Sequence, residues 1–185
     1  MINPGSTASF YIAVTAPENA QANDVAPAFK PILTSTRSGM QYDGPEYSNI
    51  LIETLYDVEL LLVGAESVLK PGATTVIGVE AVNNGNGPTS ATIHLVDAPQ
   101  TWTYSIRVDG VIQETNSINL GVVYSGENSI EVDVLLNVPM TEAAGEFHTI
   151  TLELHPEGQD FEFSDNRVSI DMITGSVKYL SLIHI

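Results

Sequence analysis

Residues 129–136 read SIEVDVLL. Taken alternately, Ile130, Val132, Val134 and Leu136 fall on one side and Glu131, Asp133 and Leu135 on the other. This is the period-two pattern of a strand with one face in a core and the other toward water. Residues 74–82, TTVIGVEAV, repeat it: Val76, Gly78 and Glu80 share one face, and Ile77, Val79 and Ala81 share the face predicted to be buried. Similar short runs rich in Val, Ile, Thr and Tyr recur along the chain, separated by Gly, Pro and Asn clusters, while the 3.6-residue period of a helix is nearly absent. Strands are predicted over Asp57–Val63, Thr74–Val82, Ser90–Val96, Thr103–Val108, Ser117–Leu120, Glu127–Leu136, Thr149–His155 and Arg167–Met172. Asp109-Gly110, between Val108 and Val111, is the pair a two-residue type I′ hairpin favours, because both central residues need positive φ. Asn83–Pro88, NNGNGP, reads as a loop shaped by turn geometry alone. The predicted class is all-β, an antiparallel sandwich.

Composition narrows the partners. The 185 residues carry 6 Lys plus Arg against 23 Asp plus Glu, a formal charge of −17, with a pI near 4.2. Such a surface repels nucleic acid and anionic lipid. Cysteine is absent, so no disulfide framework, thiolate metal site or Cys nucleophile is available. No apolar run approaches the ~18 residues of a membrane-spanning helix, and direct membrane insertion is not expected of this segment. The opening MINPGSTASF lacks the basic-then-apolar order of a secretory signal.

The chain also resembles itself. GSTASFYIAVTAPENAQ from Gly5 lies over GENSIEVDVLLNVPMTEA from Gly126, with Gly5 and Gly126 offset by 121 positions and Pro17 and Pro139 by 122. YSNILIETLYDVELLL likewise follows the pattern of FSDNRVSIDMITGSVKYL. A period above a hundred residues suits tandem copies of a whole sandwich better than a solenoid. Residues 1–56 are therefore expected to be the C-terminal part of a truncated module, 57–174 a complete one, and 175–185 a tail. Both ends read as cut. The final LSLIHI, residues 180–185, is what CTG TCT CTT ATA CAC ATC encodes, and that string resembles a sequencing-library adapter. His184 is accordingly assigned to no site.

Lys70–Trp102, KPGATTVIGVEAVNNGNGPTSATIHLVDAPQTW, resembles the immunoglobulin-like CARDB family of bacteria and archaea. It is equally similar to the Ig-like module that accompanies some α-galactosidases, in which a PG turn, a strand, an N-x-G loop and a P-x-x-W element follow in that order. FEFSDNRVSI, residues 161–170, is similar to the closing hairpin of CARDB domains, with Asp165 standing where the first of two Asn residues is usual. The resemblance covers roughly Asp57–Met172. It implies a non-catalytic spacer or adhesion module of a larger exported or cell-surface protein, extracellular, whose partners are neighbouring Ig-like modules of the same polypeptide and surface glycans or proteins. The alternative is a carbohydrate-binding or accessory module of a secreted hydrolase.

Two clusters are candidates for binding. Asp160, Glu162, Ser164 and Asp165 place four oxygen-bearing side chains within six positions, the ligand chemistry of calcium, and Asp43, Glu46 and Ser48 echo them. The spacing is not that of an EF-hand loop and its sharp-turn glycine is missing, so a solvated hairpin is the plainer expectation. Trp102, the single Trp, and Tyr104 two residues on form a candidate carbohydrate platform; the competing expectation is that Trp102 packs over the end of the core. His94, His148 and His155 lack the i, i+2 or i, i+4 spacing common in zinc sites. No cofactor other than calcium is suggested. The motifs G-x-S-x-G, H-E-x-x-H and G-x-x-x-x-G-K are absent, and exposed carboxylate pairs have nothing to separate their pKa values, so an enzyme is not expected.

Overall fold

The computed structural model describes residues 6–122, 128–157 and 166–175. The chain divides into two compact units, Met1–Glu53 and Thr54–Ile185.

The first unit pairs β1 (Ile32–Thr34) with β2 (Gln41–Asp43) in an antiparallel ribbon, with Leu33 opposite Tyr42. Isolated bridges Val25–Leu51 and Phe29–Tyr47 extend the pairing. The Phe29 and Tyr47 rings stack 5.2 Å apart, and Lys30 Nζ donates to Asp43 Oδ2 at 2.6 Å. Both strands are exposed along their length.

The second unit is a sandwich of two five-stranded sheets. The first sheet runs β3 (Val58–Ala65), β5 (Thr74–Asn83), β10 (Ser129–Asn137), β7 (Thr103–Val108) and β8 (Val111–Ile112). The second runs β4 (Val68–Leu69), β12 (Arg167–Thr174), β11 (Phe147–Pro156), β6 (Thr89–Asp97) and β9 (Ser117–Leu120). The alternation that predicted the strands also builds the core. Register sets Val132 opposite Val79 and Val134 opposite Ile77 on one side of β10, and Val134 opposite Ile106 on the other, all pointing inward. From the facing sheet, Ile150, Leu152 and Leu154 of β11 meet Ile170 and Val168 of β12 and Ile93 of β6. Asp109 and Gly110 both adopt positive φ, 50° and 79°, and close the β7–β8 hairpin as the Asp-Gly pair requires.

Among the described residues only β4 and β12 pair in parallel, and this fixes where the start of β3 and the end of β12 lie in the sandwich. Val58, at the start of β3, lies opposite Asn83, at the end of β5. Thr174, at the end of β12, lies beside Leu69, and the turn that follows Leu69 leads to Thr74 at the start of β5. The start of β3, the entry pole, and the end of β12 are therefore at opposite poles, separated by the ten residues of β5, about 33 Å at ~3.3 Å per residue.

The entry pole is organised by a residue read from sequence as part of a loop. Asn83 belongs to β5 and is 1% exposed. Its Nδ2 donates to Gly87 O at 2.8 Å and Gly121 O at 2.7 Å, and its Oδ1 accepts from the Gly85 N–H at 3.0 Å. Every polar function of the amide is thereby satisfied, as burial demands. Gly85 has no room for a side chain, because a Cβ there would sit 2.2 Å from Leu55 O.

Candidate functional site

The Trp102–Tyr104 pair faces the interior. Trp102 is 5% exposed. Its Nε1–H donates to Glu142 Oε2 at 2.8 Å, and its ring lies 4.8 Å from that of His148. Tyr104, on β7 of the first sheet, donates its hydroxyl to Ile93 O of β6 in the second at 3.0 Å and so ties the two sheets together. Neither ring is presented as an open stacking face. His148 Nε2 lies 3.3 Å from Glu142 Oε1, an ion-pair separation without hydrogen-bond alignment.

Asp160, Glu162, Ser164 and Asp165 lie outside the described residues. Of their echo, Asp43 is paired with Lys30. Among the described residues, no group of three or more His, Asp or Glu side chains is placed to hold a metal ion, and no helix is long and apolar enough to cross a membrane.

The densest cluster of titratable groups among the described residues is one that sequence spacing hid. On β11, Ile150, Leu152 and Leu154 turn inward, which leaves Thr151, Glu153 and His155 for the outer face of the second sheet. Register then brings Glu153 opposite Arg167 of β12 on one side and His94 of β6 on the other. Arg167 Nη2 donates to Glu153 Oε1 and His155 Nε2 to Glu153 Oε2, the latter at 2.9 Å. The rings of His94 and His155 lie 4.7 Å apart, tilted by 50°. Thr151 and Ser169, hydroxyls 3.0 Å apart, and Thr149 Oγ1 donating to Asp171 Oδ1 at 2.8 Å, continue the polar row along the β11–β12 pair. Alternation alone showed that Glu153 and His155 share a face; the register that adds His94 and Arg167 is not written in linear spacing.

The electrostatics of this row follow from its neighbours. His94, although open to solvent, is held below the ordinary histidine value, first by the partial desolvation of its ring against the sheet and then by the charge of His155, against an opposing pull from Glu153. For Glu153 burial is the largest single influence and would raise its pKa. The hydrogen bonds from His155 and Arg167, with the positive charges of both, together outweigh it and leave the carboxyl below its usual range. Both shifts make acid destabilising. A histidine with a lowered folded pKa takes up its proton more readily in the unfolded chain, so stability falls as pH drops below about 6.5. Glu153 stabilises above its unfolded value, and this is lost as pH falls through the lower folded one. Urea midpoints at pH 7.5, 5.5 and 3 should therefore decline in two stages, with His94→Gln flattening the first and Glu153→Gln the second. A decline identical in all three proteins would refute the assignment.

On the outer face of the first sheet, Arg107 donates through Nε and Nη2 to Asp133 Oδ2 at 2.9 and 2.7 Å. The pair borders a shallow hollow of about 220 Å³ that Val63, Glu131 and Gly110 also line.

No family model and no curated protein matches the sequence. Among solved structures, the fold is similar to a CARDB domain from Pyrococcus furiosus determined in solution, at 11% identity and a TM-score of 0.40, over 65% of this chain and 95% of that one. A crystal structure of that domain in complex with di-metal ions gives 13% identity and a TM-score of 0.40, over 64% and 88%. A family 123 glycoside hydrolase from Clostridium perfringens is similar at 8% identity and a TM-score of 0.42, over 63% of this chain and 26% of the hydrolase.

Proposed function

We propose that this chain is a non-catalytic spacer and adhesion module of a larger exported or cell-surface protein, arranged end to end with neighbouring Ig-like modules. The observation that carries the reading is the placement of the start of β3 and the end of β12 at opposite poles of the sandwich, set by the parallel β4–β12 pair. A block traversed from pole to pole adds its length to whatever precedes and follows it. Its faces fit the role: Arg107 with Asp133 and Arg167 with Glu153 neutralise their own partners across strands, while the remaining excess of acid, −17 over the chain, keeps adjacent copies hydrated and apart.

Small-angle scattering on one, two and three copies of the full chain joined head to tail tests this. The maximum dimension should grow with each copy by at least the ~33 Å length of the sandwich. Copies that fold back side by side, with no growth in length, would overturn the reading. Saturable binding to a glycan array together with no growth in length would favour the accessory module of a hydrolase instead.

A further inference from the structure

We infer that His94 and His155 form a two-imidazole site for a divalent transition-metal ion, of the Cu²⁺, Ni²⁺ or Zn²⁺ class, on the outer face of the second sheet. Neutral imidazole is a good ligand for these ions. With a metal–nitrogen bond of about 2.1 Å, a ring centre sits about 3.2 Å from the metal, so two histidines sharing one ion at 90–109° hold their ring centres roughly 4.5–5.2 Å apart. The observed 4.7 Å lies within that span.

The supporting groups are also in place. Both histidines stand on paired strands at the middle of a five-stranded sheet, β6 and β11, so their backbone positions are fixed. Glu153 accepts from His155 Nε2, which sets that ring's orientation and leaves Nδ1 for a metal, the carboxylate–histidine–metal arrangement that strengthens the ligand. Arg167 reaches Glu153 from β12, across β11 from His94, and so satisfies the carboxylate from the far side. His94 is exposed and His155 partly so, giving an ion access from solvent. With no third His, Asp or Glu in position among the described residues, water completes the coordination.

Isothermal titration of the full chain with Ni²⁺ alone, and separately with Zn²⁺ alone, tests the site. The parent should bind one equivalent. His94→Ala and His155→Ala should each weaken binding about tenfold or more, and the double variant should fall to background, whereas His184→Ala should bind as the parent does. Circular dichroism checks that each variant is folded. In the unaltered protein, substoichiometric Cu²⁺ should broaden the NMR signals of the His94 and His155 rings before those of His148. Binding that survives the double substitution, broadening led by His148, or no heat up to millimolar Ni²⁺ and Zn²⁺ would overturn the inference.

Discussion

Trp102→Ala is expected to lower the unfolding free energy of the sandwich by about 3–5 kcal/mol, the range for emptying a buried aromatic site. Three losses combine. The ring leaves the core cluster in which it is buried; Glu142 loses the indole N–H that binds its Oε2; and the His148 ring loses the face it packs against. For a unit of this size the melting temperature should fall by about 10–20 °C. Trp102→Phe separates the contributions, because it keeps most of the apolar contact and removes the donor, at about 1–3 kcal/mol. Thermal and urea unfolding followed by circular dichroism measure both. An exposed Trp serving as a sugar platform would respond differently, since its replacement would change stability by no more than about 0.5 kcal/mol. A melting temperature for Trp102→Ala equal to that of the parent would therefore contradict the packing described above.

Asn83→Ala should cost about 3 kcal/mol, because it strands the carbonyls of Gly87 and Gly121 in a buried setting and removes one acceptor of the Gly85 N–H. A buried polar group left without its partner costs about 1–3 kcal/mol. The Gly85 N–H keeps its contact with Asp57 O at 3.1 Å, so it adds little. Asn83→Asp is the sharper test. It preserves shape and the acceptor for Gly85, yet replaces two donated bonds by a carboxylate facing two carbonyl oxygens. That environment raises the folded pKa of the new acid, so the variant's deficit relative to the parent at the same pH should shrink as pH falls and the group becomes protonated. Urea midpoints of the three proteins between pH 7 and pH 4 decide it, and a loss below about 0.5 kcal/mol for Asn83→Ala would show that the amide is not the anchor of the entry pole.

Asn83 also shows what the sequence offered and where it misled. The inward positions of β5 are Ile77, Val79 and Ala81, and the same alternation continued by one step lands on Asn83. A polar residue at an inward position signals a buried, fully bonded amide; placing the strand end at Val82 concealed it. The long strands were legible because each holds four or more alternating positions, and Thr103–Val108 and Ser117–Leu120 occupy the predicted residues. Val68–Leu69 was not legible: two residues carry no period, and this strand exists only because the end of β12 lies beside it. The competing expectations for Trp102 differed in whether an inward partner existed, and Glu142, forty positions away, is visible only after folding. The same is true of His94 and His155. They come together through the register of β6 on β11, and linear rules for metal ligands search along one strand or helix.

The parallel β4–β12 contact has a further consequence. The Ile173 N–H donates to Ser67 O at 2.9 Å and the Gly175 N–H to Leu69 O at 2.7 Å, and the bonds of a parallel pair, though slanted, run mainly across the strand direction. When the two ends of the sandwich are drawn apart, β4 and β12 are dragged past one another lengthwise, and both bonds meet the pull broadside. They must rupture together, in shear, instead of opening one after another like a zipper. A strand pair loaded this way holds its length up to a threshold tension and then gives in a single step.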